Sequence, residues 1–172
     1  MTIELALDTD PEWDSSGGPW ADIARRAVVA ALRESEYEAI ITSPREVELS
    51  IRLSSDEEVR ALNAQWRNKD RPTNVLSFPM IDREQLADAA DEGPMLLLGD
   101  MILAFETCKR EAAEKGVTFT EHATHLMVHG MLHLMGHDHM DEEEAADMEA
   151  REVKALERLD IANPYTLTAE AH

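Results

Sequence analysis

The chain has 172 residues, one cysteine and a formal net charge of −20 at neutral pH. This length suits one domain with a full core, and a single cysteine excludes an internal disulfide and is typical of a reducing compartment. This acidic composition excludes a broad basic surface for nucleic acid. A polyanion could bind only where positive charge is gathered locally.

The sequence contains no segment that would direct the chain to a membrane or out of the cell. The N-terminal segment is acidic, unlike a signal peptide, and no stretch approaches the roughly 20 apolar residues of a membrane helix. We therefore predict a soluble cytoplasmic protein that does not associate with membranes.

The spacing of apolar residues predicts the elements of the N-terminal half. Alternation at residues 3–7 and 47–53 predicts two strands. Between them, a turn-rich segment at residues 10–19 precedes an amphipathic helix over residues 20–32. Ser55 and Glu58 have the spacing of a capping box and predict the start of another helix.

A third and a fourth strand are predicted at residues 74–78 and 95–104. Gly99 inside the fourth strand indicates a bulge or a close backbone approach. The acidic residues between these strands, 81–93, carry no strong pattern and are interpreted as a surface excursion that could contain one helical turn.

Three helices are predicted after the fourth strand. The first covers residues 105–115 and ends at Gly116. The second, over about residues 120–135, is apolar on nearly every side and should be the buried central helix, with a close neighbour explaining Gly130. Asp141 is expected to cap the last helix, with Glu144 at the capping-box position.

Six of the seven histidines lie within residues 122–139. His129 and His133 are four residues apart and share one helix face, and Gly136 is placed to end the helix in a left-handed turn. His139, delivered after that turn, can complete a three-nitrogen metal site. Three imidazoles on a zinc ion leave one position open, which is typical of catalytic zinc and favours hydrolysis.

The spacing of these three histidines and Gly136 also matches the ligands of the metzincin peptidases. Those enzymes carry a glutamate general base directly after the first histidine, and this chain has Gly130 there. A metzincin-like metallopeptidase is therefore an alternative that shares the ligands but lacks the base.

The densest positive charge lies in the loop that follows residue 66, which contains Arg67, Lys69 and Arg71. A guanidinium there could grip phosphate oxygens in a fork, or the loop could simply be a solvated surface.

The surroundings of the histidine site supply further candidates. His125 could support the metal ligands or serve only in packing, and His122 is expected to be solvated or to cap a helix. Asp100 could bind substrate or hydrogen-bond a turn. His137 and Asp138 flank the presumed third ligand and are possible supporting or substrate-contacting residues.

Residues 129–139, read as HGMLHLMGHDH, resemble the signature of the YbeY family of metal-dependent endoribonucleases. Further matches are Leu62-Asn63 with Trp66-Arg67, the run DRPTNVLSFP at 70–79, and Leu98-Gly99-Asp100, so the resemblance extends over residues 62–152. The chain departs from the family at His137, where tyrosine is common, and at Asn74, where aspartate is common.

The resemblance implies one zinc ion per chain, held by His129, His133 and His139, and it singles out Arg67 as functionally important. It also implies cleavage of single-stranded RNA in ribosomal RNA maturation, notably at the 3′ end of the small-subunit RNA, and in ribosome quality control. The ribosome or its small subunit, with associated proteins, is then the expected partner.

The sequence thus predicts an α+β fold in a single compact domain over residues 1–172, with a core at 1–165 and a tail at 166–172. We expect a mixed sheet of about four strands, about five helices and a metzincin-like buried histidine helix. Besides the peptidase, a non-catalytic ribosome-associated factor that zinc only stabilises remains an alternative to the endoribonuclease.

Overall fold

The computed structural model describes residues 2–67, 73–87, 93–137 and 141–165. Its sheet has four strands in the order β1-β2-β4-β3, with β1, β2 and β4 parallel and β3 antiparallel to β4. The strands are β1 (Thr2–Thr9), β2 (Glu46–Ser54), β3 (Val75–Pro79) and β4 (Leu96–Ala104). The predicted mixed sheet of four strands is therefore confirmed, and the tail at 166–172 lies outside the described residues.

Seven α-helices lie within the described ranges, two of them only five residues long. They are α1 (Pro11–Ser15), α2 (Trp20–Glu34), α3 (Asp56–Arg67), α4 (Arg83–Ala87), α5 (Phe105–Lys115), α6 (Phe119–Leu134) and α7 (Glu142–Arg158). The five longer helices are those that the sequence predicts, and a 3-10 helix at Glu38–Thr42 was not predicted. In the described part of the chain, no helix combines the length and apolar character needed to cross a membrane.

Residues 10–19, which the sequence marks only as turn-rich, contain the short helix α1. Trp13 of this helix is fully buried, and its indole N–H donates a hydrogen bond to the carbonyl oxygen of Ser54 at 2.8 Å. Its ring meets that of Trp20 edge to face, with the centroids 5.0 Å apart. Burial of the indole stabilises this short helix, and Pro11 at its first position favours its start.

The sheet is covered by helices on both faces. On one face, residues of β2 and β4 join those of α2 and α6 in the main core. On the other, Val59 of α3 packs with Leu76 and Ile102 in a smaller cluster. Because α6 contacts α2, α5, α7 and two strands, the prediction of a buried central helix is confirmed.

Gly99 has both properties that the sequence suggested. The register of β2 with β4 shifts at this point, so that Leu49 pairs with Gly99 while Glu48 pairs with Leu97. The residue has φ +144°, and a Cβ atom there would collide with the carbonyl oxygen of Phe78 on β3. Only glycine fits this bulge between two close backbones.

Candidate metal centre

The C-terminal end of α6 reverses the chain immediately after the two central histidines. Gly136 has φ +86°, its N–H donates to the carbonyl of His133, and the N–H of His137 donates to that of Leu132, each at 3.0 Å. These two bonds form a Schellman motif, which requires a left-handed residue where glycine stands. The predicted left-handed helix end at Gly136 is confirmed.

His129 and His133 point their rings toward each other on one half-buried face of α6. Their Nε2 atoms lie 3.1 Å apart, and the side chain of His129 keeps 26% of its surface exposed. Two imidazole nitrogens bound to one tetrahedral zinc ion would be roughly 3.3 Å apart. The pair therefore fits two ligands of one divalent ion that solvent can reach.

Glu152 of α7 fixes the ring of His129. This residue is fully buried, and its Oε1 is in short contact with Nδ1 of His129. Burial works to raise the pKa of the carboxyl, but His125 and His129 outweigh it and hold the pKa at about 2. Because a carboxylate only accepts, Nδ1 must donate, and Nε2 keeps the lone pair that a metal needs.

Sequence reasoning missed Glu152, although a signal for it existed. Because α7 contains many acidic residues, the residue type alone does not distinguish Glu152 from the exposed glutamates of the same helix. Glu152 nevertheless lies four residues after Met148 and four before Leu156, and both of these are buried. A charged residue in the middle of a buried stripe needs a partner that offsets its charge. The spacing of Glu152 was therefore a signal for a contact with the histidine helix.

The side chains of Tyr165 and His125 also lie close to the Glu152 carboxylate. The hydroxyl of Tyr165 donates a short hydrogen bond to its Oε2, and burial, reinforced by that carboxylate, raises the pKa of the phenol. Nε2 of His125 lies 3.6 Å from the same oxygen, and burial lowers the pKa of His125. His125 thus lies behind the ligand pair, whereas Tyr165 comes from a segment for which the sequence had shown no pattern.

His122 and His137, the first and last described histidines of the segment, have partners of their own. The prediction that His122 is solvated or caps a helix is wrong: it is 2% exposed, and its Nε2 lies 2.9 Å from Oε1 of Glu111, because α5 covers the first turns of α6. His137 is also buried, and its Nε2 accepts the backbone N–H of Glu36 at 3.3 Å.

Gly130, next to His129, packs directly against the sheet. A Cβ atom at this position would lie 2.8 Å from Sδ of Met101 on β4. The Oγ of Ser77 on β3 also donates to the Gly130 carbonyl at 3.3 Å. The close neighbour that the sequence suggested is therefore confirmed, and a glutamate at this position would have to displace the Met101 side chain.

Most of the remaining candidates fall at or beyond the limits of the described residues. Arg67 is the last residue of α3, and only its backbone is described. Lys69, Arg71, Asp138 and His139 lie outside the described residues. Asp100 of β4 is described, and its Oδ1 accepts a short hydrogen bond from Oγ of Ser50 on the neighbouring strand.

Within ranges 2–67, 73–87, 93–137 and 141–165, no three His, Cys, Asp or Glu side chains lie together as a metal site. The described part of the centre is thus a two-histidine pair with a carboxylate behind it. His139 is separated from His137 by a single residue and follows the Schellman turn. A third nitrogen donor there remains a prediction.

Comparisons with known proteins identify the family. The family model described as "Endoribonuclease YbeY" matches residues 18–160. A protein of that name from Rhizorhabdus wittichii is 49% identical over 170 residues, covering 98% of this chain and 99% of its own. Another, from Novosphingobium aromaticivorans, is 52% identical over 168 residues, covering 95% and 96%.

The fold has a solved counterpart. The solution structure of TM1509 from Thermotoga maritima matches with a TM-score of 0.53, covering 91% of this chain and 92% of that one at 20% identity. An identity of 20% supports the fold alone. The family is shown by the family model over residues 18–160 and by the relatives of about 50% identity. The chain therefore belongs to the endoribonuclease YbeY family.

Proposed function

We propose that this chain is a zinc-dependent endoribonuclease that cleaves single-stranded RNA during ribosomal RNA maturation, at the 3′ end of the small-subunit RNA. The reaction class follows from the family: the chain is an endoribonuclease, and RNA is its substrate. The observation that carries the proposal is the pair of Nε2 atoms 3.1 Å apart on α6, one of them oriented by buried Glu152.

The metal would be held by His129, His133 and His139. A bound zinc ion supplies Lewis acidity and lowers the pKa of a coordinated water to about 7. Glu152 keeps the His129 ring in the tautomer whose Nε2 is free of a proton. Since solvent reaches the pair, an RNA strand can approach it from the same side.

Arg67 is proposed to act on the phosphate. It ends α3 at the start of the basic loop that also holds Lys69 and Arg71. A guanidinium can donate two parallel hydrogen bonds to phosphoryl oxygens and stabilise the charge that develops on them in the transition state.

The setting in the cell is part of the same proposal. Ribosomal RNA as substrate, the small ribosomal subunit as partner and a role in ribosome quality control are supported by the resemblance of residues 62–152 to the family signature. A cytoplasmic location is supported by the single cysteine. In a ribosomal particle, basic proteins could also offset the −20 charge of this chain as it approaches RNA.

The test measures metal content and RNA cleavage on the same preparations. We expect about one zinc per wild-type chain and cleavage of single-stranded RNA that a chelator abolishes. His133→Ala should stay folded but lose both metal and cleavage. Arg67→Ala should lose cleavage and keep its metal, and Arg110→Ala, on exposed α5, serves as the matched control.

Two outcomes would favour the alternatives. Casein digestion that a hydroxamate inhibits, without RNA cleavage, would indicate a peptidase. Loss of the folded state in His133→Ala, in a wild type that binds metal but cuts nothing, would indicate a factor that zinc only stabilises.

A further inference from the structure

Three arginines occupy the solvent-facing side of α2. Arg25, Arg26 and Arg33 are exposed, and the spacing of seven and eight residues brings Arg33 under the other two on one side of the helix. The buried residues of α2, which face α6 and α7, are Trp20, Ala24, Ala27, Val28, Ala30, Ala31 and Leu32. Positive charge is thus collected on one helix of a chain whose net charge is −20.

A fourth arginine closes this surface into a cleft. Arg158, the last residue of α7, donates from Nε to Oε1 of Glu34 at 2.7 Å, which holds the end of α7 against the end of α2. The cleft between the two helices has a volume of about 370 Å³. Its apolar lining includes Val29 and Leu159, and the four arginines also line it.

Carboxylates neutralise this cleft only in part. Asp22 lies 4.0 Å from Arg26, and both side chains are more than half exposed, so the pair contributes little. Of the three guanidinium nitrogens of Arg158, only Nε contacts the carboxylate of Glu34. Arg25 and Arg33 form no ion pair with any described residue, so the cleft keeps a surplus of positive charge.

A hydrogen-bonded path through His137 limits the distance between the cleft and the histidine pair. The N–H of Glu36, three residues after Arg33, donates to Nε2 of His137 at 3.3 Å, and the N–H of His137 donates to Leu132 next to His133. The bond and hydrogen-bond lengths along this path sum to roughly 25 Å, which is an upper limit for the distance between the Cα atoms of Arg33 and His133.

We infer that this cleft, defined by Arg25, Arg26, Arg33 and Arg158, binds the phosphodiester backbone of the RNA strand beyond the cleavage site. The inference rests on the proposed function, because it assigns a second contact for the same substrate. Guanidinium forks match phosphate oxygens, and the apolar lining offers a surface for a ribose or base. On so acidic a protein, a local cationic cleft is what a polyanion needs in order to bind.

The test compares two charge-matched double variants. Arg25→Gln/Arg33→Gln removes two cleft charges, and Lys109→Gln/Arg110→Gln removes two exposed charges from α5. Each is titrated with a long single-stranded RNA whose 2′-hydroxyls are methylated, at several salt concentrations. We expect the cleft variant to bind at least about tenfold more weakly, with a slope of log K against log salt shallower by about 1.4, or 0.7 per lost contact. The α5 variant should bind like the wild type.

The outcomes separate this inference from the proposed function. Equal affinity and slope for the two variants, with a wild type that cuts a short unmodified RNA, would overturn the cleft while sparing the function. If the cleft variant instead lost affinity only for a polyglutamate peptide, the cleft would be a site for an acidic protein segment and the inference would be wrong. A wild type that cuts no RNA would refute the proposed function itself.

Discussion

The buried carboxylate of Glu152 on α7 holds the imidazole of His129 on α6 through its Nδ1. The direction of one presumed metal ligand is therefore set by a different helix, across the interface of α6 with α7. Loss of this contact should be felt first in metal affinity, because partners of this kind orient the ligand and raise its basicity.

We expect Glu152→Gln to weaken zinc binding by about 10–100-fold. Glutamine keeps the size of the side chain but removes the charge that fixes the His129 tautomer. Competition with a coloured chelator measures the affinity, and Glu157→Gln, exposed on the same helix, is the control. Equal zinc affinity in Glu152→Gln and wild type would show that the contact has no bearing on the metal.

His137→Ala should lower the free energy of unfolding by about 2 kcal/mol without changing the zinc content. The variant leaves the N–H of Glu36 without its acceptor in a partly buried place, and an unsatisfied donor costs about 1–3 kcal/mol. Urea unfolding and metal analysis on one preparation give both quantities. A fall in bound zinc would instead identify His137 as a ligand.

Gly130→Ala should destabilise the protein by no more than about 2 kcal/mol. The added methyl would lie 2.8 Å from Met101 Sδ, and overpacking costs about 1–3 kcal/mol, which the better helix propensity of alanine offsets by about 1 kcal/mol. In the double variant with Met101→Ala the two losses should be less than additive. Strict additivity in urea unfolding would contradict a direct contact.

Glu111→Gln should reduce stability at neutral pH by about 1 kcal/mol and flatten its fall in acid. Burial works to raise the pKa of Glu111, but hydrogen bonds with His122 and Asn74 outweigh it and hold the pKa below its usual value. The contribution is therefore complete above the unfolded pKa of about 4.3 and is lost as the pH falls through the folded pKa.

Thermal unfolding across this pH range, with Glu114→Gln on the exposed side of α5 as control, measures the effect. The curves of Glu111→Gln and wild type should converge at the acid end. A constant difference between them at all pH values would mean that ionisation of Glu111 contributes nothing.

Much of this architecture could be predicted because apolar spacing decides it. β4 and α5 were placed within one residue of their bounds, and Asp141 caps α7 by accepting the N–H of Glu144 at 2.8 Å, as the capping-box spacing indicated. His129 and His133 could be paired because four residues make slightly more than one helical turn.

What could not be predicted depends on contacts between distant segments. Nothing local indicates that the indole of Trp13 will find Ser54, or that Tyr165 will reach Glu152 from the C-terminal end of the described chain. The burial of His122 likewise follows from the packing of α5 against α6, which no periodicity reports. Zinc as the metal and ribosomal RNA as the substrate remain proposals.

The contact of Gly130 with Met101 also bears on how this scaffold can evolve. A peptidase base at position 130 would start from a Cα atom that faces the sheet, so it would have to displace the Met101 side chain of β4. The same position holds the carbonyl that accepts the hydrogen bond of Ser77, one residue from His129. The tight contact of α6 with the sheet therefore opposes the acquisition of a metzincin-type base by a single substitution at Gly130.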